Sequence, residues 1–174
     1  MCERYGPPEV VHIAEVEKPA PQDGEILVRV HATTVNRTDC GVRSAHPFVA
    51  RFFYGLGRPR ARVPGNEFAG EVEAAGPGVT SFRAGDPVFG FNAGFGARGE
   101  FGAHAEHLVT RADGSIAPMP ANLTYEEAAP CTEGSTYALG LIEPAGIKRG
   151  QDVMVYGASG AIGSSAVQLL TSGS

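Results

Sequence analysis

The residues best equipped for chemistry lie late in this 174-residue sequence. Asp152-Val153-Met154-Val155-Tyr156 reads as a short apolar strand. Gly157-Ala158-Ser159-Gly160-Ala161-Ile162-Gly163 reads as a glycine-rich turn, and Ser164 to Leu170 as the helix it opens. A strand–turn–helix of this kind aims unpaired backbone N–H groups and the positive end of the helix dipole at one point. A phosphate or pyrophosphate fits there. Gly157 suits the tight turn, Gly160 lets the backbone approach an anion, and Gly163 lets helix and strand pack closely. The spacing is G-x-x-G-x-x-G rather than G-x-G-x-x-G, and a tightly packed helix start without a ligand is the plainer alternative. The same residues fall one position short of a G-x-S-x-G nucleophile elbow, with Ala161 in place of the last glycine. An enzyme of that type carries its acid and its histidine after the serine, and the fifteen residues after Ser159 contain no Asp, Glu or His.

Metal and disulfide chemistry find little support. Cys2, Cys40 and Cys131 are odd in number and far apart, so no disulfide framework is expected. His104 and His107 sit three apart on a predicted strand, which puts them on opposite faces. Within residues 42–66 stand Arg51, Arg58, Arg60 and Arg62. They read as a solvated surface excursion or, more sharply, as an anion-binding loop.

The elements that must position these residues are short. With 24 glycines and 13 prolines, turns are frequent. Val10–Ile13, Glu25–Ala32, Phe68–Gly76, Asp86–Phe91 and Ala103–Val109 read as strands separated by Gly or Pro, a pattern of a small barrel or sandwich. After Pro120 the character changes. Thr124 and Glu127 form a capping box, opening a predicted helix from Tyr125 towards Ile142, with breaks expected at Pro130 or Gly134. The formal charge of −5 and the lack of a dense basic stripe argue against nucleic acid. No apolar run reaches the ~20 residues of a membrane span, and Met1-Cys2-Glu3-Arg4 has no secretory pattern. A cytoplasmic protein with no membrane partner is expected.

Taken together, several stretches resemble the medium-chain dehydrogenase/reductase superfamily. They are Tyr5-Gly6-Pro7-Pro8-Glu9-Val10, Pro19 to Val30, Val35-Asn36-Arg37-Thr38-Asp39, Pro64 to Val72, Gly85 to Gly90, Gly99 to Glu106 and the glycine turn. Within it the sequence is similar to the zinc-free quinone oxidoreductase branch. The resemblance implies a mixed, β-rich α+β fold: a GroES-like β-barrel domain over residues 1–122, then the linking helix and first strand-turn-helix of an incomplete Rossmann domain over 123–174. It implies NADPH or NADH as cofactor, hydride transfer to a quinone, enone or aldehyde-type carbonyl, and no zinc. Two zinc-ligand positions of the alcohol dehydrogenases fall here on the amides Asn36 and Asn66. Only Cys131 falls on a third, and as a small side chain it is expected to be buried.

The resemblance also assigns site residues. Asn36 would border the nicotinamide and the substrate carbonyl, with its amide offered to a developing oxyanion. Tying two loops together is the competing role for Asn36. His46, followed by Pro47, is the candidate proton donor. Thr136 would lie by the nicotinamide amide, and Gly157, Ser159, Gly160, Ala161, Ile162 and Gly163 would line the pyrophosphate. Phe52, Phe53, Tyr54, Phe91 and Phe95 are candidates for the substrate pocket. Only eleven residues follow Gly163, so the chain is expected to be an inactive or incomplete N-terminal part with negligible NADPH affinity of its own. A GroES-like binding or self-assembling module, associating through Val153 to Tyr156 as a homo-oligomer, is the alternative.

Overall fold

The computed structural model describes residues 1–92 and 102–172. Phe95 and the Gly99–Phe101 part of the motif at 99–106 lie outside the described residues. Two compact units divide the chain, Met1–Ala129 and Pro130–Ser174.

The first unit is built on one antiparallel five-stranded sheet. Its strands are β1 (Glu25–Thr33), β2 (Glu67–Ala75), β3 (Pro87–Phe91), β4 (His107–Arg111) and β5 (Ile116–Pro118), in the spatial order β4-β1-β2-β3-β5. Alternation along β1 and β2 sends Ile26, Val28, Phe68 and Val72 into a core completed by Val88, Ala103 and Leu108. Arg29 and Glu71 face each other across the strands on the wetter side and pair at 3.3 Å. Leu27 is buried although it shares the parity of Arg29, so that side is only partly wet. A second apolar cluster, Ala69 with Ala128 and Ala129, is flanked by Ala32, Phe89, Met119, Leu123 and Tyr125. It seats the one-turn helix α3 (Tyr125–Ala128). The other helices of this unit are α1 (Arg37–Ser44) and the short α2 (Arg51–Tyr54).

Two bulges interrupt the β1–β2 ladder. Leu27 pairs with Ala74 and Val28 with Val72, so Glu73 is the extra residue on β2. Val30 pairs with Gly70 and Ala32 with Ala69, so His31 is the extra residue on β1. Each bulged side chain reaches an outside element. Glu73 receives Lys18 and lies 3.0 Å from His107 Nε2, and the His31 ring stacks on Tyr125 at 4.4 Å.

In the second unit, a 3-10 turn (Ala129–Cys131) carried over from the first breaks the helix expected from Tyr125, as the missing N–H of Pro130 requires. It resumes as α4 (Glu133–Ala145). Helix α5 (Ala161–Ser172) packs beside it: a Cβ on Gly134 would lie 2.9 Å from Ala161 O. Two apolar runs expected as strands differ. Val10 closes a 3-10 turn and Val11 makes a single bridge to Cys2. Asp152–Tyr156 has no ladder partner among the described residues, and Met154 and Tyr156 stand 91% and 98% exposed. β-branched composition favours an extended chain, but a strand exists only where a neighbour supplies its hydrogen bonds.

Candidate functional site

Asn36 organises the polar centre of the first unit. It is the N-cap of α1: its Oδ1 accepts from the backbone N–H of Thr38 (2.9 Å) and Asp39 (3.2 Å). Asp39 returns the favour, accepting the Asn36 N–H at 2.9 Å, which completes a capping box. The amide nitrogen of Asn36 donates to Asn66 Oδ1 and to Glu67 Oε2, both at 3.1 Å. Two donors and the acceptor of this side chain are therefore engaged with the protein. Thr34 Oγ1 donates to the same Glu67 oxygen, and His104 Nε2 lies 2.7 Å from Thr34 O and 3.9 Å from Asp39.

The partners of Asn36 are held by a stapled loop. Gly102 N and Ala103 N both donate to Gly65 O, and His104 N donates to Pro64 O. Gly65 takes φ +95°, and a Cβ there would lie 2.4 Å from His104 N, so conformation and space both demand glycine. Asn66 is 1% exposed, and its Nδ2 has no hydrogen-bond partner among the described residues. The asparagine pair thus forms a neutral amide contact rather than a set of anionic or imidazole donors. Such a set does not fit a catalytic zinc, which takes thiolate, imidazole or carboxylate ligands. Among the described residues no three His, Cys, Asp or Glu side chains gather for a metal. Cys131 is exposed, against the expected burial, because the 3-10 turn directs Ala129 inward instead. His104 and His107 go separate ways, to Thr34 O and to Glu73.

His46 is exposed, just past the C-terminal end of α1 and in cis linkage to Pro47. Asn36 and His46 therefore bracket a helix about 12 Å long and are not brought together. Phe52 and Phe53 are exposed on α2 and Tyr54 is half-buried there, whereas Phe91 is buried at the end of β3. Sequence reasoning missed Thr34, Asp39, Glu67 and His104 as members of the centre. The N-x-x-D spacing of Asn36 and Asp39 was a readable capping signature; the pairings with Glu67 and His104 span some thirty to seventy residues and leave no local pattern.

The glycine turn forms in the second unit. Gly157 takes φ +79°, and Gly160 N donates to Gly157 O at 3.0 Å. A Cβ on Gly163 would lie 2.2 Å from Gly157 O, so the turn folds directly onto the first turn of α5. Gly160 differs: its nearest neighbour would be 3.5 Å from an added Cβ, and Ser159, Ala161 and Ile162 are exposed around it. That open cradle at a helix start fits a dinucleotide phosphate. Thr136, exposed on α4, donates its hydroxyl to Thr132 O at 2.9 Å, and Ser135 and Ser165 link α4 to α5 at 3.4 Å.

A five-stranded antiparallel domain with a buried amide centre, followed by a glycine turn on a helix, defines a dehydrogenase-type GroES-like protein. The chain belongs to the alcohol dehydrogenase GroES-like domain family, which residues 22–121 match, and to the quinone oxidoreductase-like medium-chain dehydrogenases/reductases. It is 31% identical to the quinone oxidoreductase of Rattus norvegicus over 167 residues, covering 95% of this chain and 46% of the rat protein. The quinone oxidoreductase of Coxiella burnetii superposes with a TM-score of 0.81 at 25% identity, over 98% of this chain and 52% of that one. A mycobacterial protein solved in complex with NADPH gives a TM-score of 0.77 at 30% identity, over 98% and 48%. The chain spans about half the length of the curated relatives it matches.

Proposed function

We propose that this chain supplies the GroES-like catalytic domain and the first phosphate-binding unit of a zinc-independent, NAD(P)H-dependent oxidoreductase acting on quinones or activated enones. The observation that carries the reading is the turn from Gly157 to Gly163, whose closest approach excludes a Cβ at Gly163 while Gly160 stays open. The NADPH complex of a relative 30% identical supports it. When bound, the nicotinamide would supply the hydride. The chain's own part is to hold the diphosphate at the Gly157–Gly163 backbone, with Ser159, Ala161 and Ile162 lining it and Thr136 on the neighbouring helix. Asn36 acts as a positioning residue: its amide ties α1 to the Asn66–Glu67 strand, so an oxyanion contact requires it to leave those partners. His46, exposed beside the C-terminal end of α1, is the proton donor of this reading.

Two measurements test it. NADPH raised to millimolar concentration, as the very weak affinity expected of these residues alone demands, shifts the backbone amide resonances of Gly157 to Gly163 in the isotopically labelled chain, and the Gly160→Val variant, which fills the cradle, loses those shifts. Shifts confined to other residues, or none in the turn, refute the assignment. A zinc chelator leaves the melting temperature unchanged; a fall in melting temperature that added zinc reverses refutes the metal-free part. A second reading rests on Met154 and Tyr156: their near-complete exposure supports association of copies through this run.

A further inference from the structure

From Cys40 to Asn66 the chain carries five arginines, Arg43, Arg51, Arg58, Arg60 and Arg62, and no aspartate or glutamate, although its formal charge is −5. The same stretch holds Phe48, Val49, Phe52, Phe53 and Leu56, each between 57% and 63% exposed. Such a concentration of exposed apolar side chains marks an interaction surface. Its base is fixed to the first unit. The Arg51 guanidinium lies 4.9 Å over the Tyr5 ring and 5.2 Å over Phe48. Tyr5 Oη donates to Gly55 O and Cys2 N to Arg62 O, each at 2.7 Å. Arg58, Arg60 and Arg62 are exposed, and no carboxylate pairs with them among the described residues.

The geometry points to residues 48–62 as a peripheral docking surface for an anionic membrane. Three unneutralised guanidinium groups select a negative partner. The apolar side chains select one with a hydrocarbon layer, because Val49 and Leu56 have no ring with which to stack on a nucleic-acid base. A lipid surface meets both demands, with phosphates at the level of the arginines and acyl chains beneath. The expectation of no membrane partner rested on the lack of a spanning segment. Interfacial contact needs none, and no helix among the described residues is long and apolar enough to cross a bilayer. Phe52 and Phe53, also candidates for the substrate pocket, are exposed here, and vesicle binding is read without any hydride transfer, so its outcome stands apart from that of the proposed chemistry.

Co-flotation of the 174-residue chain with vesicles tests it. The chain is expected to float with vesicles of phosphatidylcholine mixed with phosphatidylserine, not with phosphatidylcholine alone, and less at high salt. Replacing Arg58, Arg60 and Arg62 together by Gln lowers partitioning on the order of a hundredfold, at about fivefold per arginine. Phe52→Ser with Phe53→Ser abolishes it, and Arg83→Gln, an exposed arginine outside the surface, leaves it unchanged. These positions are exposed, and circular dichroism verifies that each variant is folded. Flotation with neither vesicle, equal flotation with both, variants that float like the wild type, or binding to a single-stranded oligonucleotide instead of vesicles would each overturn the assignment.

Discussion

Removing the side chain of Asn36 perturbs three contacts at once. Asn36→Ala deletes the N-cap of α1, which costs about 0.5–2 kcal/mol. It also strips the Asn36 Nδ2 donor from the side-chain carbonyl of Asn66, which is 1% exposed, at about 1–3 kcal/mol. Glu67 loses a donor too but keeps the Thr34 hydroxyl, so its share is smaller. The total is about 3 kcal/mol, which for a unit of this size lowers the melting temperature by roughly 10 °C. Asn36→Ser keeps a capping oxygen and loses only the donations, so it falls between wild type and Asn36→Ala. Asn36→Asp keeps the cap but sets a third carboxyl beside Asp39 and Glu67. Repulsion raises the folded-state pKa of the introduced carboxyl above its unfolded value. The variant is therefore least unstable in acid and loses stability as pH rises through that folded pKa. Thermal melts followed by circular dichroism between pH 4 and pH 8 read all three. An Asn36→Ala melting temperature within about 2 °C of wild type would refute the reasoning, since it would mean the amide carries no structural load.

Three further outcomes follow from other contacts. Gly163→Ala forces a methyl group onto Gly157 O at 2.2 Å, so α5 shifts or frays, at about 1–3 kcal/mol; amide hydrogen exchange within residues 161–172 accelerates while β1 and β2 are unaffected. The hydrogen bond from Lys18 holds the Glu73 carboxyl below its ordinary 4.5, with smaller help from His107. Its tie to the segment ahead of β1 is thus present above that ordinary value and is lost as pH falls through the lower folded one; Glu73→Gln speeds cleavage after the exposed Glu17 by a glutamate-specific protease, and an unchanged rate contradicts the tie. Burial pushes the Tyr5 phenol above 10.0 despite the nearby Arg51. Spectrophotometric titration finds it ionising above 10.0, and stability from Tyr5 disappears as pH climbs through its folded pKa.

The sheet was legible where alternation and breakers coincide. Glu25–Ala32, Phe68–Gly76 and Asp86–Phe91 match β1, β2 and β3 to within a residue, because one face must be apolar and Gly or Pro ends each run. The strand expected at Ala103–Val109 begins only at His107, since the backbone of Gly102 to His104 is spent on Pro64 and Gly65. β5 left no pattern: three residues, Ile116 to Pro118, are too few to show a period. Val10–Ile13 and Asp152–Tyr156 were read from composition, which cannot tell whether a partner strand exists. At the centre, the sequence marked Asn36 and Asn66 as amides where metal ligands would stand, but their mutual contact and the role of Glu67 are tertiary facts. A capping residue and a catalytic amide look alike in one dimension. Only the direction in which the amide hydrogens are donated separates them.

The paired bulges in β1 and β2 carry a lesson for anyone redrawing this sheet. Because His31 and Glu73 each add one residue to opposite strands, the second offset undoes the first. Deleting either alone throws every later side chain to the wrong face, whereas deleting both restores the frame at the cost of two outward anchors. An idealised version would thus keep its core, yet let go of α3 on one side and of the leading segment on the other. Irregularity here works as matched joinery, each offset holding one neighbouring element in place.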